Sequence, residues 1–323
     1  MDAFRRTAIA AVGLIAAINI ALAQPYPNRP VKIVVPFAAG GGTDALARFL
    51  AKGMEQRLRQ PFIIENRGGS GTTIGGLAVA RAEPDGYTIM LGTASTFAVA
   101  PGLYTRLAYD PTRDFSPIIL LATVPFVLVT HPSLGVNSVQ ELIALAKSKP
   151  GQLTYASAGV GAVHHIFCEL LMTMTGIDMK HVPYRGGGQA INDVVAGHVP
   201  VYFADAGPAA SLIASGKLKA LGVTTSTRTV NLPDVPTLHE AGVTGYEANT
   251  WQMMVGPARM PEPVVARLNK SLAEFMLTPE AQKHFISLGM QPKTSTPGEA
   301  HDYIRVEAAR WTKIIKGIGL SID

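Results

Sequence analysis

The sequence holds one cysteine, Cys168, so no disulfide can form within the chain and stability must come from ordinary cores. It has no basic run and no basic segment interleaved with aromatics, which leaves nucleic acid without a footprint. Past the first two dozen residues it has no long apolar run, so nothing later in the chain reads as a membrane span. The standard catalytic signatures each fail at a definite residue. Dinucleotide fingerprints starting at Gly69, Gly159 and Gly186 end in Ile74, His164 and Ile191 instead of glycine. The loop from Pro36 to Arg48 follows a strand and opens a helix, but no Gly-Lys-Ser/Thr follows. Gly68-Gly69-Ser70-Gly71-Thr72 lacks the last glycine of a nucleophile elbow.

The N-terminus is a secretory leader in pattern. Arg5 and Arg6 form a positive region, Ala8 to Leu22 an apolar run, and Ala21-Leu22-Ala23 a small-residue site predicting cleavage before Gln24. No cysteine stands there to carry a lipid, so a diffusing exported protein held in a periplasm is expected. Losing Arg5, Arg6 and Asp2 with the leader lowers the formal charge from +5 to +4. The remaining ~300 residues suffice for two cores.

A unit repeats along the chain: a β-rich run, a turn of glycine and small residues, then a helical pattern. Val31 to Val35 leads through Pro36–Gly42 into a helix from Thr43 to about Arg59, its apolar residues Leu46, Phe49, Leu50, Met54 and Leu58 on one face. Similar units begin at Phe62, Tyr87, Leu153, His181 and Val201. Strands alternating with helices predict parallel sheets, which bind ligands beyond their strand C-termini. There the glycines allow close backbone approach, and the helix starts offer unpaired N–H groups and partial positive charge. Converging loops of this kind make an anion site from main-chain dipoles, without a lysine.

Two segments read as crossings between domains: Ile118 to Val129, apolar with Pro125 inside it, and Leu218 to Thr225. The expected division is 1–23 leader, 24–122 first domain, 123–225 second domain and 226–323 first domain again, ending in helices near Pro263–Met276 and Pro297–Lys316.

Several side chains invite a chemical reading. His164, His165, Cys168 and Glu169 form two four-apart pairs on a helix, but adjacent residues point about 100° apart, so convergence on one metal is not expected and no metal or other cofactor is assigned. His164 remains a ligand-contact candidate. Asp44 reads as a helix-start carboxylate, whereas Asp205, at a strand end before Ala206-Gly207, reads as a cleft-rim acceptor for a ligand amine, hydroxyl or protonated acid. Arg67 and Arg185 could clamp a carboxylate but read rather as surface or inter-domain charges. Trp251 reads as core or hinge, and Phe37 as a cover over an apolar ligand body.

The chain resembles the Bug family of periplasmic solute receptors, the binding subunits of tripartite tricarboxylate transporters. The resemblance is carried by Pro36-Phe37-Ala38-Ala39-Gly40-Gly41-Gly42-Thr43-Asp44, Glu65-Asn66-Arg67-Gly68-Gly69-Ser70-Gly71 and Pro84-Asp85-Gly86-Tyr87-Thr88. It continues in Tyr155-Ala156-Ser157-Ala158-Gly159-Val160-Gly161, His181-Val182-Pro183-Tyr184-Arg185-Gly186 and Pro233-Asp234-Val235-Pro236-Thr237, in family order over nearly the whole mature chain. It implies an α/β type II periplasmic-binding fold: two parallel-sheet domains, two crossing strands, and a cleft for a small carboxylate. Phe37, Ala39, Gly40, Gly41, Thr43, Thr93 and Ser95 would form one jaw. Ser157, Gly159, Gly161, His164 and Asp205 would form the other. The implied ligands are dicarboxylates, tricarboxylates, amino acids or aromatic acids, and the implied partners are the transporter's membrane subunits, with the receptor a monomer and not an enzyme. One departure is Gly256-Pro257-Ala258-Arg259-Met260-Pro261, where the family has Gly-Thr before the proline; an altered outer turn is expected. The rival readings are a carboxylic-acid lyase or hydrolase using the same cleft, which would need a positioned acid–base pair, and a ligand sensor for a signalling kinase.

Overall fold

A computed structural model describes residues 26–323; the expected leader and cleavage site lie outside the described residues. Two sheets organise the chain. The first contains β1 (Val31–Val35), β2 (Phe62–Asn66), β3 (Thr88–Thr93), β4 (Phe115–Val124), β10 (Thr250–Pro257) and β11 (Gln291–Pro292), in the order β11-β4-β10-β3-β1-β2. The second contains β5 (Phe126–Thr130), β6 (Thr154–Ser157), β7 (Lys180–Pro183), β8 (Val201–Asp205) and β9 (Lys219–Val223), in the order β7-β6-β8-β5-β9. Leaving out the two-residue edge strand β11, the two halves share one topology.

The expected parallel pairing holds for β1 with β2 and β3, and for β6 with β7 and β8. It does not extend to β10 and β5, which run antiparallel to both their neighbours. Each is the strand by which the chain arrives from the other half, so it enters its sheet from the opposite direction. The apolar stretch around Pro125 is thus two buried strands, β4 and β5, in different sheets. Proline, lacking an N–H for the ladder, marks the step between them.

Helices follow the strands. In the first half these are α1 (Gly42–Leu58), α2 (Thr73–Ala80) and α3 (Ala100–Leu103), the last preceded by a π-helical turn at Ser95–Val99. The second half carries α4 (Val139–Ser148), α5 (Val163–Thr175), α6 (Gly187–Val195) and α7 (Ala206–Ala214). The C-terminal part adds α8 (Glu262–Met276), α9 (Pro279–Ser287) and α10 (Pro297–Gly317). α4 and α9 are short helices that the glycine-turn pattern does not reveal; each starts on a hydroxyl cap, Ser138 to Glu141 N–H and Thr278 to Ala281 N–H. α10 opens with a reciprocal Thr296/Glu299 capping box and packs against β4 and the π-helical turn. Trp251 is fully buried and stacks on Phe97, and its indole N–H donates to Glu307.

The segment between β9 and β10, read from the sequence as first-domain territory from residue 226, packs instead on the second sheet. Val223 N–H donates to Pro236 O and Leu238 N–H to Val223 O, Tyr246 stacks on Phe203, and its hydroxyl donates to Phe167 O. Leu238 and Tyr246 are buried, the first beside Val223 of β9 and the second against Phe203 of β8. At Pro257–Pro261, Arg259 takes a left-handed conformation (φ 65°) and Met260 N–H donates to Ser116 Oγ, an outer turn remote from the strand ends described next.

Candidate ligand-binding cleft

The C-terminal ends of β1, β2 and β3 face those of β6, β7 and β8, with the two halves in contact. Ala38 N–H donates to Arg185 O at 3.2 Å, and Val163 N–H, in the first turn of α5, donates to Ser95 Oγ at 3.1 Å. Two glycines show how close the backbones come. A Cβ on Gly71, which also has positive φ (58°), would lie 2.5 Å from Val160 O; one on Gly188 would lie 2.8 Å from Gly40 O. Side chains there would hold the halves apart.

The Ala38–Arg185 contact separates two crevices. The outer one has a volume of about 370 Å3 and is walled by Pro36, Phe37 and Gly69–Thr72 from one half, and by Ala158–Val160 and Pro183–Arg185 from the other. That is within the ~300–1,000 Å3 range of small-molecule sites. The inner one, about 30 Å3, is lined by Gly40–Gly42, Gly187, Gly188, Tyr202 and Asp205 among others, room for about one water. A larger hollow of about 610 Å3 lies in the first half between Tyr104 and Asp114, and none of the candidate residues lines it.

The candidates divide among these places. Phe37 and Gly159 line the outer crevice; Gly40, Gly41 and Asp205 line the inner one. Ala39 is exposed on the same loop. Thr43 is buried and accepts a hydrogen bond from Gln252 Nε2 at 3.0 Å. Gln252 in turn pairs in register with Thr93, whose hydroxyl has no hydrogen-bond partner among the described residues. Ser95 is used as the cap on α5. Gly161, with φ 81°, donates its N–H to His165 Nδ1. Ser157 turns away from the cleft: its hydroxyl accepts from Gly159 N–H and lies 2.6 Å from His181 Nε2. It ties its own loop.

The two adjacent histidines point to different neighbours, as helical geometry requires. His165 pairs with Glu169 at 3.4 Å and stacks on His181 at 4.1 Å. Burial and the neighbouring His165 push the His181 pKa down to about 4. Burial opposes the charge on Glu169, but bonds from His165 and Tyr155 outweigh it and hold that carboxyl below its ordinary range. His164 instead lies parallel to Tyr202, with ring centroids 5.4 Å apart, and its Nε2 is 3.8 Å from Asp205 Oδ2. That is too long for a hydrogen bond, and neither His164 nitrogen nor the Tyr202 hydroxyl has a hydrogen-bond partner among the described residues.

Asp44 accepts from Gly40 N–H, Asn66 Nδ2 and two guanidinium nitrogens of Arg48. Burial would raise its pKa, but these bonds outweigh burial and lower it, and it orders the loop before α1. Arg67 is paired with Glu65. Arg185 lines the outer crevice, and its guanidinium has no hydrogen bond or ion pair with the described residues.

Sequence reasoning missed Tyr202, Gln252, Gly187 and Gly188. Tyr202 carries no local signal. Gln252 does: it is the one amide in a strand that is buried along its whole length and apolar after Thr250 apart from this residue, a placement that requires a specific polar partner. Gly187 and Gly188 were visible in the triple-glycine run.

Two lobes of like topology, joined by crossing strands and meeting over glycine-rich strand ends, define a solute-binding protein. Residues 46–320 match the tripartite tricarboxylate transporter family receptor, and the chain belongs to that family of solute receptors, which are not enzymes. Protein BugT of Bordetella pertussis (strain Tohama I) is 33% identical over 315 residues, 97% of this chain and 96% of its own. Among solved structures, the periplasmic binding protein BugD is 36% identical with a TM-score of 0.89, covering 92% of this chain and 100% of its own. R. palustris Rpa4515 with adipate is 35% identical with a TM-score of 0.88 and the same coverage.

Proposed function

We propose that the chain is a periplasmic receptor that closes its two lobes over a small carboxylate and presents it to the membrane subunits of a tripartite tricarboxylate transporter. The observation that carries this reading is the outer crevice of about 370 Å3, walled by main-chain turns of both lobes and edged by the unpaired Arg185. An anion bridging those turns contacts both lobes only when they are closed, so it favours closure by its differential contacts. Closure excludes water and strengthens each charge–dipole contact. We assign Phe37 and Gly159 to direct ligand contact and Gly40, Gly41, Thr43, Thr93 and His164 to the shell behind it. Asp205 acts through the water-sized inner crevice. The lobes move about Pro125 and the segment 224–249, and the receptor works as a monomer.

A thermal-stability screen against a broad panel of carboxylates tests this. A matching acid raises stability by about 2.7 kcal/mol at a hundredfold excess over its dissociation constant, and is recovered unchanged. Turnover would support the lyase or hydrolase reading; no shift with any acid would remove the carboxylate reading altogether. Loss of uptake on deleting the membrane subunits, with binding intact, separates the transporter role from that of a kinase sensor.

A further inference from the structure

The charges around the cleft are few, and most are already used. Arg48 is held by Asp44 through Nε at 3.0 Å and a second nitrogen at 3.1 Å. Arg67 and Lys32 share Glu65. Among the described residues lining the outer crevice, Arg185 is the single unpaired charge. The other ionisable liner, Tyr184, donates its hydroxyl to Asp193 at 2.6 Å. On the far side of the Ala38–Arg185 contact stands Asp205, of the same sign as any carboxylate.

Beyond the Gly69–Thr72 turn, Gly159, Tyr184 and Arg185, the walls are apolar. Pro36 and Phe37 face the crevice from one lobe, and Ala158, Val160 and Pro183 from the other. Val160 is 38% exposed, and Ile74, which overhangs Gly69 at the crevice edge, is 50% exposed. Apolar side chains left open at a cleft mouth gain free energy when an apolar ligand surface covers them. A second carboxylate placed here would lose its water and find apolar wall instead of a cation, a costly exchange.

We propose that this crevice selects carboxylates with one negative charge and an apolar body, aromatic or branched aliphatic, over dicarboxylates. The proposal rests on the carboxylate-receptor reading above and names its ligand class. The carboxylate lies against the Gly69–Thr72 and Ala158–Val160 turns with Arg185 beside it. The apolar body extends between Phe37 and Val160 toward Ile74.

Calorimetric titration of the full mature chain with benzoate, phenylacetate, isovalerate, succinate, malate and adipate, at one ionic strength, tests it. At least one of the first three binds roughly tenfold or more tightly than any of the last three, the scale set by one uncompensated carboxylate. Arg185→Gln, at an exposed side chain, lowers that affinity roughly tenfold, and Val160→Ser lowers it while narrowing the gap to succinate. Tighter binding of adipate or malate than of every monocarboxylate overturns the proposal but leaves the receptor reading standing. Unchanged affinity in Arg185→Gln also overturns it. Absence of binding by all six, together with the wider panel, fails the carboxylate reading itself.

Discussion

Ser95, opening the π-helical turn after β3 in one lobe, caps α5 in the other by accepting the N–H of Val163 at 3.1 Å. A helix start normally takes its cap from its own preceding residue; here Ala162 offers no side-chain acceptor. The cap exists only while the lobes are together, which makes it part of the closed state's free energy. Replacing Ser95 with Ala therefore weakens ligand binding by about 1 kcal/mol, the usual worth of a cap, with little change in the ligand-free unfolding midpoint. Titration calorimetry beside ligand-free melting checks this, and equal affinity in mutant and parent would assign Ser95 no part in closure.

Gly71 and Gly188 set a steric limit on closure. Alanine at either position places a methyl against main chain of the opposite lobe, Val160 O or Gly40 O. Neither oxygen is a flexible side-chain end that can swing aside. Gly188→Ala loses at least about tenfold in affinity, since about 1.4 kcal/mol against the closed state suffices for that factor, and stays more open in small-angle scattering at saturating ligand. A fully closed scattering profile would show that the lobes shift to make room.

Stability falls with acid in a window set by His181. Its pKa is pushed down to about 4 from 6.5 in the folded protein, so between those values the unfolded chain binds the extra proton. The contribution is fully present above about 6.5 and is lost as pH falls toward 4. His284, lowered by burial, adds in the same direction. Urea midpoints measured from pH 7.5 to 4.5 decline in the parent, and His181→Gln flattens part of that decline; parallel curves would place the proton elsewhere.

Glu307, buried on α10, accepts hydrogen bonds from the indole N–H groups of both Trp251 and Trp311 at 3.3 Å. Glu307→Leu strands two buried donors and costs about 3 kcal/mol, read as a lower denaturation midpoint with an unchanged ligand constant. A cost under ~0.5 kcal/mol would mean that water reaches both indoles.

Ser157 and His164 show where sequence reading stops. They flank one glycine-rich turn, Ser157 ending β6 and His164 in the first turn of α5, and the sequence reads both as ligand contacts. Only the tertiary structure shows that Ser157 is engaged by Gly159 and His181, whereas His164 faces Tyr202 and Asp205 without a hydrogen bond. A turn's residue types are local information. The partner of a hydroxyl or imidazole depends on which strand lies beside it, and β7 and β8 are placed by sheet order.

The sequence by itself determined the alternation of strands and helices, the glycine turns at the strand ends and the step at Pro125, because dihedral freedom, apolar periodicity and proline's missing N–H act within a few residues. The tertiary structure alone decided that the arriving strands run antiparallel, that the segment from Pro236 to Ala248 packs on the second sheet, and that Arg185 is left unpaired while Arg67 is neutralised. Those outcomes depend on the direction from which a strand enters and on which charges end within reach of one another, and both follow from long-range packing.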